Sequence, residues 1–191
     1  NRLVASSLVL SDEQLTITCA AGPEVTIPLD QLKKLDFSAA NQVYLSDLKP
    51  ESVDWIPYLS TGQVSERLTR LYRPRRDRTL KGKQLVLANQ SFTKGLAIHS
   101  RTQLTYRLTD NFQNFQALVG IDPAMGENGN VELVVSGNGK ELLRKTLTGK
   151  GEAVELKIDM RGINRLTILV DFGEQLDIGD HLLLCNARLT K

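Results

Sequence analysis

The sequence predicts an all-β protein: an antiparallel β-sandwich of jelly-roll type with a small β unit ahead of it. Three observations carry this. The hydrophobic period along the chain is close to two rather than 3.6. From residue 84 onward, about eight short apolar runs recur between Gly, Asn and Asp turns. No helical pattern lies between those runs, which argues against the strand-helix alternation of a parallel sheet.

Residues 3–10 read as a first strand, closed by Ser11-Asp12-Glu13. Residues 16–19 and 25–27 flank Ala21-Gly22-Pro23-Glu24 and read as a hairpin. Residues 28–35 are expected to make one or two helical turns, with Asp30 as cap and Leu32 and Leu35 on one face. A polar link at 39–42 then sets a small unit, residues 1–40, apart from a main domain, residues 41–191. So short a unit buries little surface. It is expected either to pack on the main domain or to be part of a domain cut short here.

Residues 46–83 read as irregular and basic, with Pro50, Pro57, Pro74 and the single Trp, Trp55. Arg67, Arg70, Arg73, Arg75, Arg76, Arg78, Lys81 and Lys83 stand there against Glu66 and Asp77. The plain expectation is a solvated loop whose arginines pair with carboxylates elsewhere. The alternative is a patch for an anionic polymer. Only Tyr72 interleaves the cations, so a nucleic-acid partner is not expected.

Strands are then expected at 84–87, 96–99, 103–108, 115–121, 131–136, 141–147, 154–158, 165–172 and 181–189. Asn138-Gly139 supplies the positive backbone angles that a tight hairpin needs.

Composition excludes several functions. Of 191 residues, 41% are hydrophobic and 24% charged, as in ordinary globular proteins. The net charge of +2 gives no global field toward nucleic acid or anionic lipid. Aromatics are 5%, too few for a broad stacking platform. Two His and two Cys exclude a zinc-finger array. No apolar run approaches the ~18 residues of a membrane-spanning helix. The chain opens on Asn1-Arg2-Leu3 without Met, as a processed product or a piece of a longer protein does. No Gly-x-Ser-x-Gly elbow, His-Glu-x-x-His, Walker loop or paired Cys-x-x-Cys occurs, so an enzyme is not expected.

A series of motifs runs through residues 44–190: Tyr44-Leu45-Ser46-Asp47-Leu48, Gly82-Lys83-Gln84-Leu85, Phe92-Thr93-Lys94-Gly95-Leu96-Ala97-Ile98-His99-Ser100, Leu104-Thr105-Tyr106-Arg107-Leu108, Phe115-Gln116-Ala117-Leu118-Val119-Gly120-Ile121-Asp122 and Gly179-Asp180-His181. In order and spacing this resembles the NPCBM family, the novel putative carbohydrate-binding modules. The resemblance implies a galactose-binding-like sandwich and a carbohydrate partner, galactose-type sugars in some relatives. It also implies an exported protein, with an appended glycoside hydrolase or other domain, and in some relatives a structural calcium. The family usually follows its late Asp-His with a small residue, an acidic residue and Trp. Here Leu182-Leu183-Leu184-Cys185 follow. Either a ligand-stacking ring is lost or a core position has been refilled.

The candidate ligand-binding residues are His99, Arg101, Asp122, Asp180, His181 and Trp55. His99 and His181, the only imidazoles, are donors to sugar hydroxyls or loop anchors. Alternation along a strand lets only one of Asp180 and His181 face a given surface. Asp122 precedes Pro123 and either meets a ligand or sets an Asx turn. With Glu127 and Asn128 it offers oxygens for calcium, outside the twelve-residue calcium-loop pattern. Trp55 is a sugar platform or a plug over the core. Cys19 and Cys185 are buried thiols, or a bridge if the first unit docks beside the last strand. The leading expectation is a non-catalytic carbohydrate-binding module. The alternative is a structural or protein-interaction sandwich that has lost its sugar site.

Overall fold

The structure, a computed structural model, describes residues 5–11, 13–19, 22–32, 41–59, 65–109, 111–174 and 176–191. The chain divides into two compact units, Asn1–Ala40 and Asn41–Lys191.

The first unit holds a three-stranded antiparallel sheet, β1 (Ala5–Ser11), β2 (Gln14–Cys19) and β3 (Glu24–Pro28), in that order. Alternation along β2 buries Leu15 and Ile17. The Cys19 N–H bonds the Pro23 carbonyl at 2.8 Å and closes the expected hairpin. Of the expected helical turns at 28–35, the described residues show a 3₁₀ turn at Leu29–Gln31. Its cap position is Pro28, Asp30 lies inside the turn, and Leu32 is already extended at φ −81°, ψ 108°. The turn buries no residue. Leu35 and residues 39–40 of the link lie outside the described residues.

The second unit runs β4 (Gln42–Tyr44), β5 (Ser52–Trp55), α1 (Glu66–Leu71), β6 (Arg75–Arg76), β7 (Leu85–Leu87), β8 (Gln90–Phe92), β9 (Gly95–His99), β10 (Thr102–Arg107), β11 (Asn114–Ile121), β12 (Asn130–Gly137), β13 (Lys140–Thr148), β14 (Val154–Asp159), β15 (Arg165–Phe172) and β16 (His181–Thr190). Two antiparallel sheets face each other. The smaller has order β13-β12-β15-β10-β5; the larger has order β14-β11-β16-β9-β6, with β4 also paired to β16. This is the expected β-sandwich. Alternate residues of each sheet meet between them: Leu104, Tyr106, Leu133 and Ile168 from one side, Phe115, Val119, Leu182 and Leu184 from the other. Burying each such side chain contributes about 1.5 to 3 kcal/mol.

A second apolar cluster forms on the outer face of the larger sheet. There the β7–β8 hairpin lays Leu85 and Leu87 over Ala97, Leu183 and Cys185. β16 is thereby apolar on both faces through Leu182-Leu183-Leu184-Cys185, all fully buried. Cys185 is a free thiol whose pKa burial pushes up to about 12. Cys19, half-buried, ends β2 in the other unit.

Asn138 and Gly139 turn β12 into β13 with φ of 50° and 82°, as expected. The described residues of 46–83 hold more regular structure than expected. β5 pairs with β10, β6 pairs with β9, and the Ser65 hydroxyl caps α1 by accepting from the Leu68 N–H at 3.3 Å. The arginines also differ from expectation. Among the described residues, none of the eight cations from Arg67 to Lys83 has a carboxylate within ion-pair distance. They are exposed instead.

Candidate functional site

One end of the larger sheet gathers most of the expected residues into a row. His181 pairs in register with His99. Side chains two apart on a strand share a face. His99 therefore projects on the same outer face as Ala97, and His181 on the same face as Leu183. Their rings meet edge to face, centroids 5.6 Å apart. Asp122, just past the end of β11, extends the row on one side and donates its N–H to the His181 carbonyl at 2.8 Å. On the other side Tyr72 lies over His99 at 4.1 Å, and Trp55 stacks on Tyr72 at 5.2 Å. Trp55 sits at the end of β5, where its indole N–H donates to the Ser100 carbonyl at 3.1 Å. The row Asp122, His181, His99, Tyr72, Trp55 thus crosses from the outer face of one sheet to the edge strand of the other.

His99 is 2% exposed, shielded by Tyr72. Burial lowers its pKa, against the backbone carbonyl of Ser100 and against Asp177. His181 is less covered, and its Nδ1 is buried without a partner among the described residues. Burial, then the neighbouring His99, push its pKa down to about 4. At neutral pH this ring is uncharged. It keeps one N–H donor and one acceptor nitrogen, the pair that complements a hydroxyl.

Asp180 stands behind the row, not in it. It is fully buried, Oδ2 accepting from the Ser100 hydroxyl at 2.5 Å and Oδ1 from the Asn130 N–H at 2.9 Å. It ties the β9–β10 corner and the start of β12 to the start of β16. Burial pushes its carboxyl up to about 6. Gly179 before it has φ 75°, and a Cβ there would lie 2.8 Å from Asn128 Cβ. The Gly179-Asp180-His181 motif therefore has three jobs: a close loop approach, a buried clamp and a ring for the row. Arg101 lies beside the Trp55 end, its Nε 3.1 Å from Asp171 Oδ1 and its carbonyl accepting from the Ile56 N–H.

The calcium candidates are engaged separately. Asp122 Oδ1 accepts from the Ala124 N–H at 3.0 Å, Glu127 pairs with Lys150 at 3.2 Å, and Asn128 donates to the Met125 carbonyl at 3.2 Å. Among the described residues no three of His, Cys, Asp or Glu gather as a metal group. As they stand, these residues do not fit a calcium cage. Position 184, where the family usually has Trp, points into the core between the sheets. Leucine there refills packing and takes no ring from the row. Two clefts, of about 300 and 470 Å³, lie elsewhere, around Gln116 and Arg188 and around Glu51 and Arg165. The row is an open rim. Tyr72, central to it, was not among the residues expected from sequence; its only signal was an aromatic ring alone in a basic stretch.

The sandwich has the fold of solved CBM51 modules. The CBM51 from Clostridium perfringens GH95, solved with methyl-galactose, matches at TM-score 0.64 and 24% identity over 78% of this chain and 99% of that one. CBM51-2 with the INT domains from Clostridium perfringens ZmpB, solved with GlcNAc, matches at TM-score 0.64 and 20% identity over 97% of this chain and 40% of that one. A longer ZmpB structure, the M60 catalytic domain with CBM51-1 and CBM51-2, matches at TM-score 0.64 and 20% identity over 93% of this chain and 17% of that one. No curated protein matches. The chain belongs to the NPCBM/NEW2 domain family, which it matches over residues 41–190.

Proposed function

We propose that the second unit is a non-catalytic carbohydrate-binding module that takes a galactose-type or related sugar on the row, within a larger exported protein. The observation that carries this is the continuous row itself: stacked rings beside a neutral imidazole. Trp55 and Tyr72 offer the flat apolar face on which a sugar ring stacks. His181 and Arg101 supply hydrogen bonds to its hydroxyls, and Asp122, buried, closes the end of the row. His99 fixes Tyr72, and Asp180 fixes the corner beneath. Solved neighbours carrying methyl-galactose and GlcNAc support the ligand class. Neighbours that join CBM51 modules to a catalytic domain support the multidomain setting. No helix among the described residues is long and apolar enough to cross a membrane.

Affinity for a monosaccharide is expected at ~1 to 0.1 mM, or ~4 to 5.5 kcal/mol. Trp55 is the only tryptophan, so its fluorescence reads the site directly. Titration with galactosides and N-acetylglucosamine should change that signal in the native protein and not in Tyr72→Ala. A glycan array and calorimetry that both show nothing would retire the reading.

A second reading is favoured by apolar residues around the row. Ile56, Leu59, Leu68, Leu71 and Ile178 are 45% to 81% exposed. Each lies within four residues in sequence of a row residue. Such a rim also suits a protein partner.

A further inference from the structure

The basic stretch shares the rim with the row, and among the described residues its cations hold no carboxylate. Four of the six described arginines outside it, Arg101, Arg144, Arg161 and Arg165, hold carboxylates. The six arginines within it hold none among the described residues. Asp77, one of its two carboxylates, is already engaged by Lys94 and by the Gly95 N–H. Position follows from register and chain order. Arg75 pairs with Ala97 in the antiparallel β6–β9 ladder, two residues before His99 on β9. Directly paired residues share a face. Arg75 therefore stands on the same outer face as His99 and His181, and Arg73 directly follows Tyr72, which lies over His99. Lys81 adds a third positive charge close enough to act on His181. All three are exposed. A neutral sugar would leave these charges with nothing to do. An anion held beside the stacked ring would meet them.

We propose that the ligand of the row is an acidic glycan, in which a sulfate ester or carboxylate on or beside the stacked sugar is held by Arg73, Arg75 and Lys81. This rests on the proposed carbohydrate function and names its ligand class. Guanidinium groups bind either anion through paired N–H donors, so the shared chemistry is a planar or tetrahedral oxyanion on a glycan.

The test is a Trp55 fluorescence titration, confirmed by calorimetry, with three probes of matched length: a neutral galactan oligosaccharide, its sulfated counterpart and a galacturonate oligomer. Polyglutamate serves as an acidic polymer without sugar. The native protein is expected to prefer at least one acidic glycan over the neutral one by about tenfold at low salt, from two or three exposed charge pairs. That preference should fade near 1 M salt, where the Debye length is about 3 Å. Arg73→Ala/Lys81→Ala should bind the neutral oligosaccharide as the native protein does and lose the preference. The sulfated and galacturonate arms show which anion is read. Equal binding of neutral and acidic glycans overturns the proposal and leaves the carbohydrate reading standing. So does a preference that the double variant keeps, or polyglutamate binding as tightly as the acidic glycans. Binding of no glycan at all retires both.

Discussion

Replacing Asp180 by Asn removes one of two opposed titrations at the start of β16. The Asp180 carboxyl is raised from the ordinary 3.8 to about 6 because burial outweighs its bonds from Ser100 and Asn130. The folded protein then binds that proton more tightly than the unfolded chain. Its contribution to stability is intact below pH 3.8 and declines as pH rises toward 6. The gap between those values corresponds to about 3 kcal/mol. Asn keeps the volume, still offers a carbonyl to the Asn130 N–H and does not titrate. Stability of Asp180→Asn minus that of the native protein should therefore rise by about 2 kcal/mol from pH 4 to 6.5, the part of that gap the window spans. Subtraction cancels every group the two proteins share. The native curve alone should vary differently from that difference in this window, because His181, lowered from 6.5 to about 4, works in the opposite sense. Its stabilisation is present above pH 6.5 and lost as pH falls toward 4, reduced in size by its part exposure. The assay is urea unfolding across pH, followed by Trp55 fluorescence, which reports only on the second unit. A pH-independent difference would refute the reasoning. So would one that falls with pH, since that would mean the hydrogen bonds outweigh burial and the carboxylate is the favoured form.

Three further outcomes are expected. Leu184→Trp places the family's usual ring in a filled core; calorimetric melting should show a loss of about 1 to 3 kcal/mol, and titration should show no gain in galactoside affinity. Gly179→Ala combines a left-handed backbone with a Cβ 2.8 Å from Asn128 Cβ and should cost about 2 to 4 kcal/mol in urea unfolding; a cost below about 0.5 kcal/mol would mean the loops do not approach closely. Cys185, with its thiol pushed up to about 12, should resist iodoacetamide at pH 8 until the chain unfolds, as read by mass spectrometry.

The strands after residue 84 were legible because each turn carries its own chemistry and most strands alternate. The elements hidden from sequence are the short ones at the sheet edges. β5 has four residues, with Val53 and Asp54 exposed, and β6 has two. Neither is long enough to show a period, and each is held by a partner distant in the chain. Leu182-Leu183-Leu184-Cys185 was opaque for another reason: a strand covered on both faces has no alternation to read. Only the β7–β8 hairpin on the outer face shows which leucines look inward. Of the site, the two histidines were visible as the sole imidazoles on motif positions. Tyr72 was not, because stacking between Trp55 and His99 is a long-range event that leaves no local pattern. Asp180 was visible as a residue but not as a clamp, since its partners Ser100 and Asn130 lie far off in sequence.

β4 pairs with the far end of β16, Tyr44 against Arg188, and the Lys191 N–H bonds the Asn41 carbonyl at 2.8 Å. The polypeptide therefore enters and leaves this sandwich at one spot. His181 opens β16 and Thr190 closes it, ten residues or about 30 Å apart. The second unit is polarised: Asn41 and Lys191 meet at one end of it, and the rings stand at the other, a strand's length away.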